Sequence, residues 1–314
     1  MMDEAHHELL AEVAALYYEQ DMTQNAIAKQ IGLSRVKVYR LLKEAREQDV
    51  VRININYPIA RDAHLEASLV ETFNLKDAVV LNPVTQTNSL QRLGVATARY
   101  LERQLANYTR LAICPGRSTY EAINAIRSDF LSDLQVTQAI GSLPYDMYEY
   151  DSTVLTRQLA QKLGGEAMYL TSPVMADSAE AAVVIRSQRD VQRALLAASQ
   201  SDVALVGIGN LDPATSGFVT ANFLEPQELD EMRKDGAIGD IAMQMFRVDG
   251  SMYPCALNER VIGITFDELR DIPLTIAMAM GVEKARAILG SIRSGVIDVL
   301  CTDNRTAAQV IELN

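Results

Sequence analysis

Between Asp77 and Asp303, short apolar runs alternate with longer helix-forming segments, and this alternation restricts the possible folds more than any other feature of the chain. The runs are "DAVVL" (77–81), "RLAIC" (110–114), "VTQAIG" (136–141), "AMYLT" (167–171), "DVALVGIG" (202–209), "LTIAMA" (274–279) and "IDVLCTD" (297–303), separated by stretches such as "SLQRLGVATARYLERQL". Apolar runs this short and continuous suit strands covered on both faces, and the helices between them serve as crossovers. The expected body is an α/β, doubly wound, mostly parallel, Rossmann-like sheet. In such sheets ligands bind beyond the carboxyl ends of the strands, so the loops there hold the candidate site residues.

Residues 1–57 have a different texture. "VAALYYEQ" has helical character; Thr23 then offers a hydroxyl cap to a short helix carrying Gln24, Ala26, Ile27 and Ile31. Gly32 supplies a turn, and Ser34 caps a third helix in which Val38, Leu41, Leu42 and Ala45 fall at i, i+3, i+4 and i+7. Val36, Arg40 and Lys43 then lie on the opposite face. Between Lys29 and Arg46, six bases (Lys29, Arg35, Lys37, Arg40, Lys43 and Arg46) stand against the single acid Glu44, inside a chain of net charge -12. Basic charge confined to one element suits a polyanion partner for that element alone; the plainer account is a solvated helix face. Helix, glycine turn and basic helix favour a helix-turn-helix. Thr23, Gln24, Ser34, Arg35, Val36, Lys37, Tyr39, Arg40 and Lys43 are its candidate contacts to double-stranded DNA, with the arginines for guanine edges and Val36 for a thymine methyl. "VVRININY" alternates apolar and polar residues up to Pro58 and is expected to be a wing strand. The domains are thus 1–57 and 58–314.

Within the body, Pro115-Gly116-Arg117-Ser118-Thr119 precedes the helical "YEAINAI". Amides and hydroxyls at a helix start favour a phosphate or carboxylate, and Arg117 adds charge; the alternative is that Ser118 is an ordinary N-cap. Gly141 follows the third run and Gly209 the fifth, where either a ligand or a tight turn explains the glycine. "DGAIGDI" brings Asp240 and "MGVEKARAI" brings Lys284 close to glycine, each either a ligand contact or a solvated charge. The body helix around "DAHLEASLVETFNL" spaces Leu65, Leu69 and Phe73 by four, as a connector or an oligomer contact would.

Several classes are disfavoured. Cys114, Cys255 and Cys301 form no C-x-x-C pair, and His6, His7 and His64 all lie before residue 65, so no disulfide framework, metal or cofactor is expected. No apolar run approaches the ~20 residues of a membrane span, and "MMDEAHHELL" lacks the basic start of a signal peptide. A cytoplasmic location is expected.

Taken together, "LYYEQDMTQNAIAKQIGLSRVKVYRLLKEAREQDVVRININY", "DVALVGIG", "GAIGDI" and "GVEKARAILGSIRSGVIDVLCTDNRTA" resemble, in order and spacing, the SorC family of bacterial sugar-responsive transcriptional regulators. The resemblance covers nearly the whole chain. It implies a winged helix-turn-helix joined to an effector domain of the glucosamine-6-phosphate isomerase type, a tetramer, and a phosphorylated sugar as effector. It also places the phosphate loop at Gly116 to Thr119, an acidic effector contact at Asp240 and a basic one at Lys284. Two departures are Cys114-Pro115, where an aromatic residue often precedes the loop, and Gly141-Ser142 in place of Gly-Gly. The expected function is a DNA-binding regulator of a carbohydrate operon. The alternative is a sugar-phosphate isomerase-like enzyme with an appended DNA-binding domain, disfavoured because isomerisation needs a general base, no histidine lies beyond residue 64, and Asp240 is the sole carboxylate placed by a motif.

Overall fold

The computed structural model describes residues 2–48, 50–51, 59–82, 89–105, 110–127, 130, 132, 134–144 and 150–314, the side chains of 2–5 excepted. The chain forms two compact units, Met1–Pro58 and Ile59–Asn314.

The first unit packs α1 (Met2–Tyr18), α2 (Gln24–Gln30) and α3 (Arg35–Glu47) around Leu10, Val13, Ile27, Val38, Leu41 and Ala45. The Thr23 hydroxyl accepts from the Ala26 amide at 3.3 Å and the Ser34 hydroxyl from the Lys37 amide at 3.2 Å. Each cap satisfies an amide that the first helical turn leaves unpaired. Gly32, at φ 71°, makes the turn between α2 and α3. Of the expected wing strand, residues 50–57, positions 52–57 lie outside the described residues.

The second unit begins with α4 (Ala63–Phe73), β1 (Asp77–Leu81), α5 (Ser89–Leu105), β2 (Arg110–Ile113), α6 (Arg117–Ala125), β3 (Gln135–Gln138), α7 (Ser152–Leu163) and β4 (Glu166–Met168). It continues through α8 (Ala179–Arg186), α9 (Arg189–Ser199), β5 (Val203–Gly207), β6 (Gly209–Asn210), α10 (Gly217–Thr220), α11 (Pro226–Lys234), β7 (Ala237–Ile241) and β8 (Gln244–Arg247). It closes with α12 (Ala256–Arg260), α13 (Phe266–Asp271), β9 (Leu274–Met278), α14 (Ala285–Arg293), β10 (Val299–Asp303) and α15 (Asn304–Glu312). The main sheet has seven strands in the order β1-β10-β9-β5-β2-β3-β4, and every pairing is parallel.

Strand side chains alternate between faces. Val203 and Leu205 join Leu111, Ile113 and Ile276 on the face covered by α5, α6 and α7; Ala204 and Val206 join Ala112 and Ala277 on the face covered by α4, α9, α14 and α15. Leu69 is buried in this second core, with Leu65 and Phe73 packed against it. The helix expected as a connector or oligomer contact therefore spends its apolar stripe on the body's own sheet. On the other face, the buried Glu102 carboxylate holds Arg99 at 2.8 Å and Arg127 at 3.0 Å, its charge offset by two guanidinium groups.

A second sheet, β6-β7-β8, is antiparallel. The segment "DGAIGDI" (235–241), which in sequence presents only a charge beside glycine, supplies its middle strand. Its two-residue hairpin turn, Ala242-Met243, has φ of 52° and 62°, the backbone of a type I′ turn, but without the Asn or Gly that usually signals one.

Candidate effector cavity and nucleic-acid interface

The chain runs outward from β2 through β3 to β4, then returns to lay β5 on the other side of β2. The crevice between the carboxyl ends of β2 and β5 is thus a topological switch point, the usual ligand position in an open parallel sheet. A cavity of about 540 Å³ lies there. Cys114 to Ser118 come to it from the end of β2 and the start of α6, Gly207 to Asn210 from β5 and β6, Asp240 from β7, and Lys284 from the turn before α14.

Gly116 is the N-cap of α6, and no side chain caps that helix. Ser118 is the second helical residue and lines the cavity, so the ordinary N-cap account of it does not fit. Amides of a first helical turn lack intrahelical acceptors and carry partial positive charge, and this turn opens on the cavity. The Arg117 guanidinium donates to the Thr215 carbonyl at 2.9 Å, which fixes its direction beside the cavity.

Asp240 stands opposite Gly209 in the β6–β7 pair. A Cβ on residue 209 would overlap the Asp240 carboxylate, so glycine is required there for the carboxylate to lie flat against the strand. Burial pushes the Asp240 carboxyl up to about 6; the nearby Lys284 charge and a hydrogen bond from the Met243 amide oppose the rise. Burial lowers the Lys284 ammonium, and Arg117 lowers it further against the pull of Asp240; its Nζ also donates to the Ile208 carbonyl at 2.8 Å. Burial, with Asp240 nearby, raises the Cys114 thiol to about 12, so this sulfur is neutral near pH 7 and is no nucleophile. Arg117, Lys284 and Asp240 are the charged residues of the described lining, two positive against one negative. The remainder mixes apolar Ile140, Leu143, Ile208 and Met243 with the hydroxyls of Thr215 and Thr220. Such a site takes a monoanionic or dianionic group at one place and a mixed polar and C–H surface elsewhere.

Of the residues singled out from sequence, Gly116, Arg117, Ser118, Gly209, Asp240 and Lys284 come together on this wall. Two do not. Thr119 is fully buried, with its hydroxyl donating to the Gly116 carbonyl at 3.0 Å. Gly141 is packed against the Pro173 backbone, where a Cβ would overlap the carbonyl. Its lack of a side chain answers to chain packing and not to the cavity. Sequence reading also missed Tyr150, Thr215, Thr220 and Met243. The cluster "LDPATSG" was the available sign for the segment carrying Thr215, since small polar residues around a proline mark a loop.

In the first unit, Arg35, Val36, Lys37, Tyr39, Arg40 and Lys43 are all exposed on α3, as are the capping residues Thr23 and Ser34; Gln24, at the start of α2, is half-buried. Val36 is 61% and Tyr39 54% exposed. Two large apolar side chains left in water among four cations suit a groove of DNA that offers methyl groups and phosphates together. Lys43 also pairs with Glu47 at 3.3 Å.

Residues 57–312 match the sugar-binding domain family. The chain is 32% identical over 319 residues to the transcriptional regulator LsrR of Klebsiella pneumoniae subsp. pneumoniae, covering 98% of this chain and 94% of the relative. It is 30% identical over 309 residues to the sorbitol operon regulator of Klebsiella pneumoniae, covering 97% and 98%. The chain belongs to the SorC family of sugar-operon transcriptional regulators. The full-length sorbitol operon regulator SorC from Klebsiella pneumoniae superposes with a TM-score of 0.73 at 28% identity, covering 97% of this chain and 99% of that one. The sugar-binding domain of a transcriptional repressor from Vibrio fischeri superposes with a TM-score of 0.74 at 30% identity, covering 80% and 99%. Membership accounts for a basic, capped helix pair and a switch-point cavity occurring in one chain, and the relatives' names favour regulation over isomerase chemistry.

Proposed function

We propose that this SorC-family regulator binds operator DNA of a carbohydrate-utilisation operon through α3, with an affinity set by a phosphorylated sugar in the switch-point cavity. The observation that carries this reading is the excess of cation over carboxylate in the described cavity lining: Arg117 and Lys284 beside the first turn of α6, with Asp240 the only carboxylate among the described residues there. The phosphate is held at the α6 start by amides, Ser118 and the two cations, and Asp240 accepts from a sugar hydroxyl. It acts in the cytoplasm as a homo-oligomer, because one recognition helix with a handful of phosphate contacts binds weakly at physiological salt, and the family resemblance makes that oligomer a tetramer. The reading as a regulator and not an enzyme rests on the regulators the chain is similar to, and the cavity's buried thiol is neutral and supplies no nucleophile.

Calorimetry with a sugar and its phosphate ester tests the site. The ester is expected to bind and to change operator affinity in a gel shift by about 5- to 150-fold, the usual scale of coupling between sites. Equal binding of the unphosphorylated polyol removes the phosphate from the reading. Consumption of the ester by purified protein restores the enzyme alternative, and light scattering at assay concentration decides the tetramer.

A further inference from the structure

The β7–β8 turn is placed unlike an ordinary hairpin tip. Tips of two-residue hairpins usually face water and carry Asn or Gly, which reach positive φ with little strain. Here both central residues are non-glycine, both have positive φ, and both are buried, Ala242 at 6% and Met243 at 9% exposure. Both also line the cavity. Left-handed backbone at residues with a Cβ is strained, and such strain gathers where surrounding structure fixes it for a purpose. Turn closure cannot be that purpose, since Asn-Gly closes the same turn without strain. The side chains supply what glycine lacks. Met243 belongs to the apolar cluster that includes Cys114, Ile140 and Ile208, all three of which also line the cavity. Its amide meanwhile holds the Asp240 carboxylate. One residue thus joins the polar contact to the apolar wall.

Resting on the sugar-phosphate reading above, we propose that Met243 is the specificity-determining residue of the cavity: its side chain, held in place by the left-handed turn, limits the carbon-chain length of the sugar phosphate admitted beyond the Asp240 contact. A flexible thioether chain fills irregular gaps against C–H surface. Shortening it lengthens the space available to ligand without touching Arg117, Ser118 or Lys284.

The test is a calorimetric series of sugar phosphates from three to seven carbons against full-length wild type, M243G and M243Q. Glycine fits the turn and removes the wall, whereas glutamine keeps the length and backbone while making the wall polar. M243G is expected to shift preference toward longer ligands, changing the affinity ratio between the wild type's best ligand and the next longer one by about tenfold or more, as pocket-size changes of one methylene or more do. M243Q is expected to weaken the best ligand while leaving the ranking by length unchanged. A purely structural role lowers all affinities alike, so a uniform loss or an unchanged ranking in M243G overturns the inference. If M243G fails to fold, M243Q alone decides it: unaltered affinity for the best ligand overturns it. Failure of the wild type to bind any member overturns the sugar-phosphate reading itself, and this inference with it.

Discussion

Gly209 and Asp240 face one another across the β6–β7 pair, and the Asp240 carboxylate occupies the space where any side chain at residue 209 would begin. This contact makes an acid available to the cavity without moving the strand that carries it.

Gly209→Ala is therefore expected to displace the carboxylate while leaving the sheet intact, because the obstructed atoms are the end of a side chain and not backbone. Effector affinity should fall about tenfold, the loss of roughly one charge-assisted hydrogen bond. Titration calorimetry reads this, with an unchanged circular dichroism spectrum as the check on folding.

Asp240 also gives the chain a signed pH dependence. Its carboxyl is raised from 3.8 to about 6 by burial, so between those values the folded chain keeps a proton that the unfolded chain has released. The stability contributed by this group is fully present below the window and is lost as pH rises through it. Comparing Asp240→Asn with wild type in urea at about pH 4 and about pH 7, the wild type should lose about 2 kcal/mol more than the variant over that rise. Parallel changes in both proteins would show that Asp240 does not titrate there.

On α3, Arg35→Ala and Arg40→Ala should each weaken operator binding by about 1–3 kcal/mol and blur base preference. Lys43→Ala should cost less and lower affinity evenly across sequences, because Lys43 is shared with Glu47 at 3.3 Å. Fluorescence anisotropy on matched and mismatched operators separates the two patterns.

Glu102→Ala should destabilise the body by about 2–3 kcal/mol, below the full cost of a broken buried pair because Arg99 and Arg127 both reach water once released. Glu102→Gln keeps hydrogen-bond acceptance and should lose less. Urea denaturation of the two variants gives the comparison, and no effect on effector affinity is expected.

What sequence could convey followed from how local its cause was. The parallel strands inside the sheet announced themselves as apolar runs because both faces are buried, whereas the edge strand β4 is exposed or half-buried; Thr23 and Ser34 marked helix starts because a cap acts within three residues. The β7–β8 hairpin left no such mark: Ala242 and Met243 carry none of the turn chemistry, since their side chains answer to a cavity wall assembled from distant segments. Gly141 misled for the converse reason. Its missing side chain is demanded by the Pro173 carbonyl, a contact invisible until β3 and the segment after β4 are side by side. Asp240 and Lys284 were legible as residues beside glycine, but the charge interaction between them was not.

The strand order places β1 beside β10 alone, and β5 between β2 and β9. During synthesis the three helices of the DNA-facing unit are finished within the first fifth of the chain, long before the body can close. The cavity needs Lys284, and the sheet edge needs Val299 to Asp303. A newly made chain therefore completes the basic helix proposed to read DNA first and the cavity proposed to hold the effector last, so the two proposed sites come into being at opposite ends of synthesis.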